Sequence, residues 1–183
     1  MIRPRTALLL TLALATTPAL AQQEISKVNG SITADAGQTY GDLDTVNGSI
    51  RIGDGVTAED ASTVNGSITV GDKAVVQSLE TVNGAIGLVA TQVGGSIETV
   101  LGDVTVGVGS KVRGGLRVQK SNAGFFNTNS KKVPRIVIGP NAEVNGPLVF
   151  ERPVTLYVHT SAKIGPVTGA TAKPFSTDTA PAE

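Results

Sequence analysis

His159 is the only histidine of the 183-residue chain, and cysteine is absent. Without thiols there is no disulfide, no thiolate metal site, no cysteine nucleophile and no lipid-modified cysteine. A lone histidine does not build a histidine-rich metal centre, and no partner spacing supports a Ser-His-Asp arrangement. His159 stands in Leu156-Tyr157-Val158-His159-Thr160, which alternates like a strand, so a structural role is expected for it. Carboxylates recur at turn-like positions: Asp42, Asp44, Asp54, Asp60, Asp72 and Asp103. Oxygen ligands on stacked turns can hold calcium, but the glycine-rich nonapeptide that does so in secreted β-rolls is missing. Gly94-Gly95 and Gly114-Gly115 lack the strand-loop-helix setting, and the following Lys-Ser/Thr, of a phosphate loop. The residues thus indicate no enzyme, no metal, no cofactor and no small-molecule substrate.

Interaction chemistry is better represented. The formal net charge is zero, but residues 24–103 hold 11 acids against 3 bases, and residues 104–183 hold 4 acids against 10 bases. Lys111, Arg113, Arg117, Lys120, Lys131, Lys132 and Arg135 follow one another with no acid between them. Together with the adjacent Phe125 and Phe126 they form the expected partner-contact segment. An acidic end and a basic end could also meet in a head-to-tail assembly.

Residues 1–21 read as a secretory signal peptide. Arg3 and Arg5 form the positive region, Ala7 to Ala15 the apolar core, and Ala19-Leu20-Ala21 the small-residue cleavage site. In an exported protein, envelope polysaccharide or anionic lipid is the expected anionic partner, and nucleic acid is not.

The elements that must carry these residues are set by a repeat. Val28-Asn29-Gly30-Ser31-Ile32 returns as residues 46–50, 64–68 and, with Ala85 for serine, 82–86, every 18 residues. A degenerate copy follows at residues 100–104, and a later one, Val144-Asn145-Gly146-Pro147-Leu148, follows an irregular stretch. Apolar residues recur at six-residue steps from Val28, so three short sides should close one triangular coil. Ser49-Ile50-Arg51-Ile52-Gly53 and Ser67-Ile68-Thr69-Val70-Gly71 alternate as strands with one buried face. One coil cannot bury its inner face alone, whereas stacked coils build a continuous apolar column.

Each Asn-Gly pair is expected at a corner, glycine tolerating positive φ there. The pairs are Asn29-Gly30, Asn47-Gly48, Asn65-Gly66, Asn83-Gly84 and Asn145-Gly146. Asn29, Asn47, Asn65 and Asn83 would stack on one another and hydrogen-bond from coil to coil as an amide ladder.

The expectation is an all-β, single-domain parallel β-helix of about seven right-handed coils. It spans residues 22–170, ejects a loop at 119–134 and leaves a disordered tail at 171–183. Phe150 and Tyr157, larger than anything in the earlier coils, are expected to plug the C-terminal end. The low aromatic content, 3%, suits such strands and turns better than an enzyme core.

The copies Thr45-Val46-Asn47-Gly48-Ser49-Ile50 and Thr63-Val64-Asn65-Gly66-Ser67-Ile68 resemble the β-strand repeats of bacterial adhesin-type families. Ile52-Gly53-Asp54-Gly55-Val56 and Lys111-Val112-Arg113-Gly114-Gly115-Leu116 also look like the corners of bactofilins. That resemblance implies a triangular β-helix that assembles end to end; bactofilins are cytoplasmic, and the signal peptide departs from their pattern. Left-handed hexapeptide acyltransferases share 18-residue triangular coils, and Ile138-Gly139-Pro140-Asn141-Ala142-Glu143 fits their hexapeptide. Their catalytic histidine has only His159 as a candidate here. The functional expectation is an exported, self-assembling structural protein of the cell envelope, with an adhesin or glycan-binding module and a hexapeptide-type transferase as alternatives.

Overall fold

The computed structural model describes residues 22–120 and 132–182. The expected signal peptide, together with Phe125, Phe126 and Lys131, lies outside the described residues.

The described chain is all-β, and every strand pairing is parallel. The strands stack as a solenoid of about eight turns. One face is an eight-stranded sheet: Ile32–Ala34, Ile50–Ile52, Ile68–Val70, Ile86–Leu88, Val104–Val106, Arg135–Ile138, Thr155–His159 and Ala172–Phe175. The other two faces begin joined. Thr57–Asn65 and Val75–Asn83 each run through a corner, where two successive residues, Glu59-Asp60 and Gln77-Ser78, turn away from the core. From the next coil onward each long strand divides in two, as in Gln92–Val93 followed by Ile97–Thr99. Gly94-Gly95 sits at that corner, where a Cβ on either residue would crowd Gln77.

Register follows the repeat. Ile50 pairs with Ile68 and Ile68 with Ile86, each 18 residues on, and all three are fully buried. Burying each such side chain is worth about 1.5–3 kcal/mol. Rungs lie about 4.8 Å apart, so an inward side chain rests on its own copy above and below.

On two faces the six-residue frame holds: Ala34, Ile52, Val70, Ala58 and Val76 point inward and are buried. On the third it is corrected. Val28 and Val46 are 68% and 40% exposed, and Val64 and Val82 are half-buried, so this valine column lies outside. The inward residues are the threonines just before Val46, Val64, Val82 and Val100, namely Thr45, Thr63, Thr81 and Thr99. Each corner consumes a residue out of step with strand alternation, so a constant spacing of six slips from inside to outside. The buried hydroxyls are satisfied, Thr45 donating to the Gly30 carbonyl at 3.0 Å and Thr63 to that of Gly48 at 2.9 Å.

The asparagine ladder is present on four coils. Asn47, Asn65 and Asn83 each donate Nδ2–H to Oδ1 of the asparagine below, at 3.0, 3.0 and 3.1 Å. The expected positive φ holds at Gly30 and Gly84, and a second reason for glycine acts at this corner. A Cβ on Gly48, Gly66 or Gly84 would fall onto the carbonyl oxygen of the glycine in the coil below. Gly102 is held by the same contact to Gly84, even though Leu101 has replaced the asparagine. Of the ladder glycines only Gly30 and Gly84 have positive φ. A regular column of left-handed residues lies instead at the Gly-Asp corner, in Gly37, Gly55 and Lys73. Asn145-Gly146 also stands at a corner, though not at that of the ladder. Its backbone N–H groups bond to Val112 and Gly114, which places it at the Gly94-Gly95 corner.

Leu116–Val118 and Arg135–Ile138 flank the asparagine corner, where the loop expected at 119–134 joins the coils. Its base is fastened by side chains from neighbouring coils. Asp103 accepts from Lys132 Nζ and from the Arg135 backbone, both at 2.9 Å. Arg152 donates to the carbonyls of Val100 and Lys132.

The end of the chain is more ordered than expected. Ala172–Phe175 pairs with Thr155–His159 and completes the eighth coil, so the tail expected from residue 171 contributes a strand. Beyond it the chain crosses the outer side of the eight-stranded sheet, where Arg135 donates to the Pro181 carbonyl at 2.8 Å. Phe150 fills the core near this end beneath Val167, Ala170 and Ala172. Tyr157 does not plug it. It faces outward and forms a small second cluster with Val137 and Phe175, against which Ala180 packs. Arg135 and Lys173 lie over its ring, 5.1 and 5.6 Å from the centroid.

Candidate functional site

The two ends of the solenoid differ, and the difference begins in the sequence. The first coil consists of Gln23–Asn29 and Ile32–Ala34, and among the described residues each pairs on one side only. Neither strand contains proline, and the first is seven residues long. Ile32 donates its N–H upward to the Ser49 carbonyl, so by strand alternation the N–H of Thr33 faces the open edge. The ladder also ends there unfinished: Asn29 accepts from Asn47, but its own Nδ2 has no partner among the described residues. Beneath the core lies Tyr40, whose hydroxyl accepts from the Asp35 N–H at 3.0 Å.

At the other end the outermost strands are Lys163–Ile164, Val167–Thr168 and Ala172–Phe175. Pro174 stands in this coil, and because Phe175 turns its carbonyl down to the Thr160 N–H, alternation turns the Pro174 nitrogen to the open side. A proline has no N–H to offer a further strand, and edge prolines are a standard defence against edge-to-edge pairing. The first coil is therefore the competent edge.

The expected basic contact residues do not converge on one patch. Lys111 and Arg113 lie on the face of Lys111–Val112, and Arg117 lies on the next face. Lys132 and Arg135 stand beside Asp103 at the asparagine corner. Acids from other coils answer several of them. Lys111 and Lys163 lie 3.9 and 3.4 Å from Glu143, and Arg117 makes a 3.0 Å ion pair with Glu151. Glu151 also accepts from the Lys120 backbone. The run of bases without an acid is thus neutralised in part across coils.

His159 is half-buried on the seventh coil. Its Nδ1 accepts the Ser161 backbone N–H at 3.1 Å and lies 2.8 Å from Ser161 Oγ, and its ring meets Phe175 edge-on. Among the described residues no group of three or more His, Asp or Glu side chains is placed to hold a metal ion.

One site went unremarked in the sequence. On the outer side of the eight-stranded sheet, Ser31, Thr33, Ser49, Arg51, Ser67 and Thr69 line a groove of about 300 Å³. The 18-residue register alone places these six side chains in two parallel columns. A second groove, lined by Asp42, Asp44, Asp60 and Glu80, lies on another face.

Compared with protein-family models, with curated proteins and with solved structures, the chain finds no match.

Proposed function

We propose that the protein is an exported, non-enzymatic structural component of the cell envelope that self-associates through the edge of its first coil. The observation that carries this reading is the asymmetry of the ends. Gln23–Asn29 and Ile32–Ala34 offer unpaired backbone groups, an unfinished amide ladder and the exposed Val28, whereas the last coil carries Pro174 on its outermost strand. An unprotected strand edge is a template for another strand, and a second copy presents the same edge. The likeness of the corners to those of β-helices that assemble end to end supports association at a coil end. Export rests on the signal-peptide pattern of residues 1–21.

The test is light scattering with electron microscopy on the purified protein across concentration and salt, beside Thr33→Pro. That substitution removes an N–H directed at the open edge and leaves the bond from Ile32 to Ser49 in place. Concentration-dependent oligomers that persist in salt and vanish in Thr33→Pro support the proposal. A concentration-independent monomer overturns it. Oligomers that dissolve in salt shift the interface to the opposed charges of the two halves.

A further inference from the structure

We propose that the groove centred on Arg51 binds a carboxylate-bearing polysaccharide. Ser31 and Thr33 of the first coil belong to this groove as well as to the open edge, but Arg51 lies one coil in, and the site shares no residue with the basic segment of residues 111–135.

Arg51 is the outward residue of Ile50–Ile52, held between two fully buried isoleucines on a rigid strand. Its guanidinium makes no hydrogen bond or ion pair among the described residues. Such isolation is notable here, because residues 24–103 contain 11 acids and only two other bases, Lys27 and Lys73. Lys27 donates to the Ser31 carbonyl at 2.8 Å, and Lys73 lies 3.9 Å from Asp72. The groove around Arg51 contains no acid, the acids of these coils lining the separate groove on another face.

The serine column supplies more donors at fixed positions, each hydroxyl free to turn its proton to a ligand. Ser31 Oγ accepts the Ser49 N–H at 3.2 Å, Ser49 Oγ that of Ser67 at 3.2 Å, and Ser67 Oγ that of Ala85 at 3.1 Å. Each oxygen is anchored as an acceptor, and each hydroxyl proton has no acceptor within the described fold. Thr33 and Thr69 flank Arg51 above and below in the other column, in register. The face therefore presents one unpaired guanidinium among hydroxyl donors, on strands that need not move to bind.

That chemistry selects the ligand. A guanidinium fork matches the two oxygens of a carboxylate, with a charge-assisted bond at each. The hydroxyls extend over three coils, two strand spacings or about 10 Å, farther than one small anion reaches. An oxyanion that is part of a polyhydroxylated chain uses both features. No exposed apolar side chain lines the groove to enter a lipid surface.

The test is the affinity of the purified protein for polygalacturonate, measured by biolayer interferometry at fixed salt, with dextran sulfate and uncharged dextran beside it. The expected result is binding to polygalacturonate, weaker binding to dextran sulfate and none to dextran. Arg51→Gln should lower the affinity at least about tenfold, the loss of one charge-assisted bidentate contact. Arg51→Lys should fall between, since an ammonium keeps the charge without the fork. Thr69→Val, which breaks no hydrogen bond of the fold, should weaken binding as well, and Arg113→Gln should leave it unchanged. Arg51 is exposed and unpartnered, so its variants should keep the wild-type melting temperature. Equal binding by wild type and Arg51→Gln overturns the proposal, as does absence of binding to polygalacturonate. Preference for dextran sulfate overturns the carboxylate assignment.

Discussion

Thr63 Oγ1 donates a 2.9 Å hydrogen bond to the carbonyl of Gly48, fifteen residues earlier and one coil below. Thr45 makes the same bond to Gly30, and Thr81 makes it to Gly66. A polar side chain thus lines an otherwise apolar column because it closes the glycine corner beneath it. The side chain and the carbonyl satisfy each other out of water.

Thr63→Val keeps the shape and removes the donor, leaving the Gly48 carbonyl without this partner. A destabilisation of about 1–3 kcal/mol is expected, read as a lower urea midpoint at unchanged slope. An unaltered midpoint would show that water replaces the hydroxyl without cost.

The amide ladder gives a paired comparison. In Asn65→Asp the donor to Asn47 Oδ1 is lost and a carboxylate oxygen faces that acceptor. A loss of about 1 kcal/mol is expected. Asn145→Asp, off the ladder and exposed, should stay within about 0.5 kcal/mol of wild type. Equal effects of the two in denaturant titrations would show that the ladder adds nothing to stability.

Glycines at the two kinds of corner should respond differently. Gly66→Ala puts a methyl onto the Gly48 carbonyl, backbone against backbone, and should cost about 3 kcal/mol. At Gly55, with φ 67°, the nearest atom to a new Cβ is 4.0 Å away. Gly55→Ala should therefore cost only the left-handed backbone penalty, about 1–2 kcal/mol. Thermal melts of the two variants check the order.

The outer cluster at the C-terminal end can be followed by tyrosine alone. The chain has two tyrosines and no tryptophan. Tyr40 lies at the floor of the first coils, and Tyr157 lies against Phe175 and Val137. Phe175→Ala should alter the near-ultraviolet circular dichroism and cost roughly 2 kcal/mol, less than a fully enclosed phenylalanine. A spectrum identical to wild type would mean that the tail does not order Tyr157.

Much of this architecture is local enough to read from the chain. The 18-residue return of Val-Asn-Gly-Ser-Ile implies stacked coils, because only stacking buries Ile32, Ile50, Ile68 and Ile86 on one another. The same return implies the Asn29 to Asn83 ladder. The Arg51 groove was implicit in it too: alternation sends Arg51 outward, and the register sets Ser31, Ser49 and Ser67 beside it. Nothing in the residue types marked that groove as more than solvated surface until its lack of an internal partner was known.

The tertiary structure decided the rest, and the reason is the corner. A strand alternates with period two, but a corner absorbs a residue at an angle that depends on the coil beneath. Whether Thr63 or Val64 points inward is therefore settled by stacking and not by spacing. Stacking likewise set Asn145-Gly146 at a different corner from the ladder and turned Ala172–Phe175 into an eighth coil. It also brought Glu143, Glu151 and Asp103 to bases whose sequence neighbours hold no acid. Sequence alone determined the period and the strand chemistry; contacts between coils determined which side of each strand meets the core and which charges remain free.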